Sequence, residues 1–408
     1  MYDAIVVGAR CAGAPTALLL ARSGHRILLL ERAAFPRDTL STHFIHQPGI
    51  AALARWGLLD QLRATGCPAL HHGVYNVAGI SLAGCANGIE GQRAAYAPRR
   101  HILDTLLAHA AAEAGAELRE NCRVTGLLHD ADGRVTGVTG IRTQHRARPF
   151  TARARLVVGA DGMRSAVAEH LPSPYLRHDQ TLTCAYYGYW PGAQPHFEVY
   201  ERAGGWVAAV PTHGEQTLVL AYFPQSRFPQ IRTAAAQAHA ERVRAIAPAV
   251  WERMRAVERV GPLRGTGDQL NFFRQPCGPG WVLVGDARHH KDSVTARGIT
   301  DAFHQAESLA RHVSGALDAG PARLDAALQA YVRDTDPVLR QGHDATLTVA
   351  RLAPASRQRL ALLRAVARDA TLTATYFDLF AGIGTAADLY GPRLLADHSA
   401  DRHQEVRR

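Results

Sequence analysis

Lysine is almost missing from this chain. Lysine and arginine together number 46, yet Lys291 is the only lysine. Long apolar runs are missing too. None approaches 18 residues, so no transmembrane span is expected. The strand pattern starts directly after Met1-Tyr2-Asp3, so no signal peptide is expected. Cysteine is sparse. The six thiols (Cys11, Cys67, Cys85, Cys122, Cys184 and Cys277) show no metal-ligand spacing, which excludes a zinc framework. So wide a scatter points to reduced thiols in a cytoplasmic protein. Internal repeats and low-complexity linkers are absent. The net charge of +10 would suit nucleic acid, but the arginines are scattered rather than run together. A nucleic-acid partner is therefore not expected.

What remains is an ordinary globular composition, 47% hydrophobic and 20% charged over 408 residues, enough for two or three domains. Ala4 to Val7 is a continuous apolar run, read as a buried parallel strand. Gly8-Ala9-Arg10-Cys11-Ala12-Gly13 follows, then a helix-period segment from Ala14 to Ser23 stopped by Gly24. A second strand, Arg26 to Leu30, ends at Glu31-Arg32. Strand, glycine loop, helix, strand and acid form a dinucleotide-binding unit. The helix N-terminus presents free N–H groups to a pyrophosphate, and Glu31 is placed to accept from a ribose diol. Arg10 stands where the middle glycine of the pattern would be.

Phe35 to His46 reads as a loop and Gly49 to Arg63 as a helix. His43 and His46, three apart, are candidates to line a site, although a lone histidine is usually structural. Val74 to Leu82 reads as a strand. Arg99 and Arg100 open a long alanine-rich helix, against the dipole preference, which suggests a bound anion. Ala116 to Leu128 and Arg134 to Thr143 read as strands around an Asp132-Gly133 turn. The next buried strand, Ala154 to Val158, ends in a second glycine–acid turn, Gly159-Ala160-Asp161-Gly162. Thr181 to Phe223 alternates aromatics, as in an antiparallel sheet with one packed face. Tyr187, Tyr189, Trp206 and Tyr222 on it are candidate substrate contacts. Ile231 to Val257 reads as helix interrupted at Pro248. Beyond residue 320 four helices are expected: Leu324 to Arg340, His343 to Arg351, Ser356 to Arg368 and Thr371 to Phe380. The polar tail from Asp397 to Arg408 reads as frayed.

A third turn, Gly285-Asp286, follows the apolar run Trp281 to Val284. It leads through His289, His290 and Lys291 to a helix start at Gly298-Ile299. A chain that retains one lysine, in such a loop, invites a chemical reading. The bland alternative is a surface residue.

The three turns, in this order, resemble the FAD-dependent monooxygenase superfamily with the para-hydroxybenzoate hydroxylase-like fold. Flavin halogenases and geranylgeranyl-reductase-like enzymes are also members. The resemblance covers roughly residues 1 to 315. It implies an α/β fold: a Rossmann-like FAD-binding domain, an inserted antiparallel-sheet substrate domain and a C-terminal helical region. The expected division is FAD-binding at 1–72, 93–172 and 261–320, substrate domain at 73–92 and 173–260, and helices at 321–408. FAD would be held by Gly8, Arg10, Cys11, Ala12, Gly13, Glu31, Arg32, Arg100 or Arg99, Val124, Asp161, Gly162, Gly285 and Asp286. N–H groups of Gly298 and Ile299 would face the flavin and stabilise its anionic reduced form. NADH or NADPH is the implied electron donor, directly or through a separate flavin reductase.

The implied activity is insertion of one oxygen from O2, through a flavin C4a-hydroperoxide, into a small aromatic or secondary-metabolite substrate. Lys291, His289 and His290, with His43 and His46, are the catalytic candidates. Asp292-Ser293 replaces the family's common Asp-Pro. Val167-Ala168 stands where an arginine often follows the second turn. The halogenase pattern G-W-x-W-x-I-P keeps Trp206 and has Ala208 at its second tryptophan, which disfavours a halogenase. A double-bond reductase and a non-catalytic flavin-binding redox protein remain alternatives.

Overall fold

Tyr2–Val7 forms the centre of the first sheet, with Ala4, Ile5 and Val6 fully buried. A computed structural model describes residues 1–144, 147–192, 194 and 196–389. The expected frayed tail lies outside the described residues. Tyr2–Val7 pairs in parallel with Ile27–Leu30 on one side and Arg148–Gly159 on the other. Glu117–Arg119 and Trp281–Leu283 extend the parallel sheet outward. Parallel strands finish at one edge, so Val7, Leu30, Gly159 and Leu283 deliver their following turns to the same place.

Helices Gly13–Arg22, Arg100–Glu113 and Gly298–Val313 contribute to the apolar cluster on one face. The other face is covered by the hairpin Cys122–His129 and Val135–Arg142, turned at Gly133 with φ +79°. Arg148–Gly159 serves both layers. Its first half pairs antiparallel with Val135–Arg142 and its second half parallel with Tyr2–Val7.

The second sheet has seven strands, in the order Val260–Thr266, Thr183–Pro191, Gln216–Pro224, Gly205–Thr212, His196–Arg202, His72–Val77 and Ile80–Gly84. It reaches past residue 260 through its edge strand. All pairs are antiparallel except His196–Arg202 with His72–Val77. Both faces are covered, where one packed face was expected. Cys184, Val207, Val219 and Phe223 pack on the Ala235–Ile246 helix side. Tyr187, Tyr189, Trp206 and Tyr222 point the other way, into a cluster shared with the C-terminal helices Arg357–Arg368 and Ala370–Ala381.

Several expected element boundaries need correction. Ala116 to Leu128 is two strands, Glu117–Arg119 and Cys122–His129, broken at Asn121, whose φ is +55°. Val74 to Leu82 is not one strand but a hairpin, turned where Ala78 and Gly79 both have positive φ (47° and 92°). Gly49 to Arg63 breaks into Gln47–Arg55 and Leu59–Ala64 at Gly57, whose φ is +69°. The first two of the four helices expected beyond residue 320 are a single one, Pro321–Ala350, which runs through Pro337.

Candidate active site

The first loop has almost no room. A Cβ at Gly13 would stand 1.8 Å from the Gly8 carbonyl oxygen, and one at Gly8 2.5 Å from that of Ala160. Gly8 also needs its φ of +98°. Glu31 is buried and braces this loop, accepting the N–H groups of Ala9 (3.0 Å) and Ala33 (3.1 Å). Arg32 beside it is exposed, and Arg10 is half-buried. Ala12 is buried and meets the third turn, since a Cβ at Gly285 would lie 2.7 Å from its methyl. The three turns therefore touch. Ala160-Asp161 packs on Gly8, and Gly285 on Ala12.

Two arginines expected as alternatives have separate destinations. Arg100 makes two 3.0 Å bonds to the fully buried Asp104, which also accepts the Cys11 thiol at 3.2 Å. The exposed Asp286 is close enough for its charge to act on Arg100. Burial raises the Cys11 thiol well above its usual range, so it stays protonated. Arg99 turns away to Asp38 (2.8 Å) and lies 4.0 Å over the Tyr189 ring. Asp161 does not offer its carboxylate to the cradle. It accepts Ser165 Oγ (2.5 Å) and the Val167 N–H (3.2 Å) at the start of the short Ala166–Glu169 helix. Gly162, in contrast, has nothing within 4 Å of a Cβ position. Val124 is buried in the cluster beneath the sheet.

Gly298 and Ile299 begin the Gly298–Val313 helix, whose first N–H groups have no intrahelical partner. Gly298 is exposed, with no atom within 4 Å of a Cβ position. Together with the glycine cradle and Arg100, this fits an elongated, phosphate-bearing dinucleotide. The His43 ring is fully buried, and its Nδ1 has no hydrogen-bond partner.

Lys291 is buried, not a surface survivor. Its amine pairs with buried Asp301 in the first turn of that helix, and Arg297 approaches the same carboxylate at 3.8 Å. Burial works to raise the Asp301 pKa, but the Lys291 and Arg297 charges outweigh it and keep it low. His289 stacks on Phe273 at 4.2 Å, and its Nε2 meets His343 Nδ1 at 3.0 Å. His343 in turn meets Asp179 at 3.0 Å. Burial, then the Lys291 charge, drives the His289 pKa well below normal. His290 lies on the opposite side, bonded to the Leu270 carbonyl. His46 bonds the Thr295 carbonyl at 3.1 Å, and burial, then Arg297, lowers it to about 4.

The loop is seated on the aromatic sheet face. Asp292 accepts Thr183 Oγ1 (2.7 Å), and Tyr222 bonds Ser293 Oγ (2.9 Å). His43 and Tyr189 meet at 2.5 Å, with Tyr187 edge-on to both rings. Trp206 stacks obliquely on Tyr75 at 5.7 Å, deeper in the same face. A small cavity between Phe44, His46, Phe197, Phe377 and Phe380 is closed by the Ala370–Ala381 helix. Among the described residues no group of His, Cys, Asp or Glu is arranged to hold a metal ion. All six cysteines are free, and no described helix is long and apolar enough to cross a membrane.

Sequence reasoning missed Asp104, Asp301, His343 and Asp179. The first two stand four residues after Arg100 and Arg297, a helical spacing that carried a readable signal. His343 and Asp179 are 164 residues apart and left none.

Residues 1–345 match the family described as FAD binding domain. A digeranylgeranylglycerophospholipid reductase of Methanosarcina mazei is 27% identical over 373 residues, covering 85% of this chain and 83% of that protein. A 12-dehydrotetracycline 5-monooxygenase/anhydrotetracycline 6-monooxygenase of Streptomyces rimosus is 32% identical over 170 residues, covering 42% and 32%. The structure of the flavin-dependent brominase Bmp2 superposes with a TM-score of 0.81 at 16% identity, covering 99% of both chains.

Proposed function

Because this chain belongs to the FAD binding domain family and is an FAD-dependent oxidoreductase of the para-hydroxybenzoate hydroxylase-like fold, we propose that it is a monooxygenase acting on a small aromatic or secondary-metabolite substrate. The observation that carries this reading is the Tyr222–Ser293 hydrogen bond, 2.9 Å. It seats an aromatic sheet face directly against the loop that leads into the Gly298–Ile299 helix start. Bound FAD supplies the two-electron chemistry with O2. The balanced reaction is S–H + O2 + NAD(P)H + H⁺ → S–OH + H2O + NAD(P)⁺. The reduced nicotinamide acts directly or through a separate reductase, and a reducing cytoplasm suits six free thiols.

The chain's own residues bind, orient and exclude water. Gly8, Gly13 and Glu31 shape the dinucleotide cradle, with Arg100 as its cation. The Gly298 and Ile299 N–H groups stabilise negative charge on a ring bound before them. Lys291 and Asp301 fix that helix start. Tyr187, Tyr189 and Tyr222 wall the substrate side and keep it dry. The Asp179–His343–His289 file and His46 hold the loop from below.

A double-bond reductase is the second reading, favoured by the reductase likeness along most of the chain. The test is oxidation of NADH and NADPH by the FAD-loaded protein against a panel of phenols, with product masses recorded. A gain of one oxygen supports the oxygenase. Turnover without O2 and a product two hydrogens heavier supports the reductase. A protein that cannot be loaded with FAD overturns both.

A further inference from the structure

The connection between Ile80–Gly84 and Ala95–Tyr96 is built more firmly than an exposed turn requires. Gly88 and Gly91 have positive φ (84° and 75°), and a Cβ at Gly88 would stand 2.2 Å from the Gln92 carbonyl oxygen. Ile89 and Gln92 exchange both main-chain hydrogen bonds, at 3.1 and 2.8 Å. Asp378 of the Ala370–Ala381 helix accepts the Asn87 amide at 2.7 Å and the Gly88 N–H at 3.0 Å. Gln47 Nε2 adds a third tether, donating to the Arg93 carbonyl at 3.2 Å.

This turn forms part of an open groove of about 570 Å³, a size that suits a small ligand. Arg63, His71, Cys85, Gln92, Arg93 and Tyr96 line it, and no carboxylate does among the described residues. The hydrogen-bonding groups left over are mainly donors. Arg63 donates through Nε to Tyr96 Oη (3.2 Å) and through Nη1 to the exposed Asp60 (2.9 Å), which leaves Nη2 unused. Tyr96 is the acceptor there, and its own O–H has no acceptor among the described residues. Arg93 is exposed and reaches only the Ala86 carbonyl, through Nε at 3.5 Å. Glu90, in the same turn, is taken by Arg55 at 2.5 Å. Two guanidinium groups, a hydroxyl and the Gln92 amide therefore border one groove with donors to spare.

We propose that this groove binds the oxyanion group, carboxylate or phosphate, of a small molecule. Arg93 and Arg63 are its cations, because a guanidinium fork matches the paired oxygens of either group. The Tyr96 hydroxyl and the Gln92 amide are further donors. The tethered turn holds this wall in place before the ligand arrives, which lowers the cost of ordering it. The site is separate from the dinucleotide cradle, whose cation is Arg100, and it does not rest on the oxygenase reading.

Binding is read by calorimetry at low salt on FAD-loaded protein, with the cradle occupied. The probes are benzoate, phenyl phosphate and the uncharged benzamide. Location is read at Cys85, half-buried where the other five thiols are buried, by its rate of alkylation with uncharged iodoacetamide. At least one anion is expected to bind and to slow that alkylation, while benzamide does neither. The tighter of the two anions identifies carboxylate or phosphate as the preferred group. Arg93→Gln is expected to weaken binding roughly tenfold. Arg63→Gln should cost less, because Asp60 already holds one of its Nη groups. Both side chains are exposed, so the variants should keep the parent's unfolding midpoint and flavin absorbance. The proposal is overturned if neither anion binds more tightly than about 10 mM. It is equally overturned if anion affinity is unchanged in the Arg63→Gln/Arg93→Gln double variant, or if anion binding leaves Cys85 alkylation unaltered.

Discussion

Replacing Lys291 with methionine separates a positional role from a chemical one. Lys291 and Asp301 are both less than a tenth exposed, and their side chains form an ion pair. Methionine keeps the length of the side chain and removes its charge, so Asp301 stays buried with Arg297, at 3.8 Å, as its remaining ion-pair partner. Breaking a buried pair from one side costs about 3–5 kcal/mol. Arg297 offsets part of that, so the expected loss is at the lower end, ~3 kcal/mol. Asp301→Leu in the Lys291→Met background removes the stranded carboxylate and should recover most of the stability. The assay is guanidinium unfolding of the FAD-loaded variants, with turnover measured in parallel. If Lys291 acts by fixing the Gly298–Ile299 helix start, stability and turnover fall together and return together. A double variant that is stable but inactive would make the amine itself part of the chemistry. Lys291→Met unfolding within ~0.5 kcal/mol of the parent would refute the ion-pair reasoning altogether.

Gly13→Ala should abolish FAD loading, because the new methyl would stand 1.8 Å from the Gly8 carbonyl oxygen; a variant that purifies with normal flavin absorbance contradicts the cradle. Asp292 gives a pH signature, since burial pushes its carboxyl up to about 6 from 3.8. Between those values the folded chain holds a proton the unfolded chain has lost, so this group's contribution to stability falls as pH rises, by about 3 kcal/mol in all. Asp292→Asn should remove that slope, read as the difference in urea midpoints between variant and parent from about pH 4 to pH 7; parallel curves would disprove it.

The sequence was most legible where a local pattern and a backbone constraint coincide. Ala4 to Val7, the glycine loop and Glu31 lie within a short span, and each follows from strand periodicity, helix capping or the lack of a Cβ. The Asp132-Gly133 turn was readable for the same reason. The hairpin at Ala78-Gly79 was hidden because alanine occupies a left-handed position usually taken by asparagine or glycine. The two helices expected from Leu324 to Arg340 and from His343 to Arg351 meet across Gly342, and tertiary packing carries one helix through, with Leu339, Gly342, His343 and Leu347 all buried.

The site was legible in its backbone and obscure in its side chains. Gly8 and Gly13 could be placed from spacing and Gly285 from the family resemblance, because at each of them conformation or clearance decides the residue. Lys291, His43 and Asp161 could not, because a side chain's role depends on what it meets from distant parts of the chain. His43 meets Tyr189, 146 positions away. Ser293 shows what this does to a departure from the family pattern. Read alone, serine for proline was only an absence. In the fold its main-chain N–H donates to Gln269 at 3.1 Å, and its hydroxyl shares a hydrogen bond with Tyr222 at 2.9 Å. Proline has neither group. The substitution therefore changes what the loop is tied to: it is fastened to the aromatic wall by directional bonds instead of being stiffened through its own backbone. A loop held in that way takes its position from the aromatic sheet, which ties the Gly298–Ile299 helix start to that sheet.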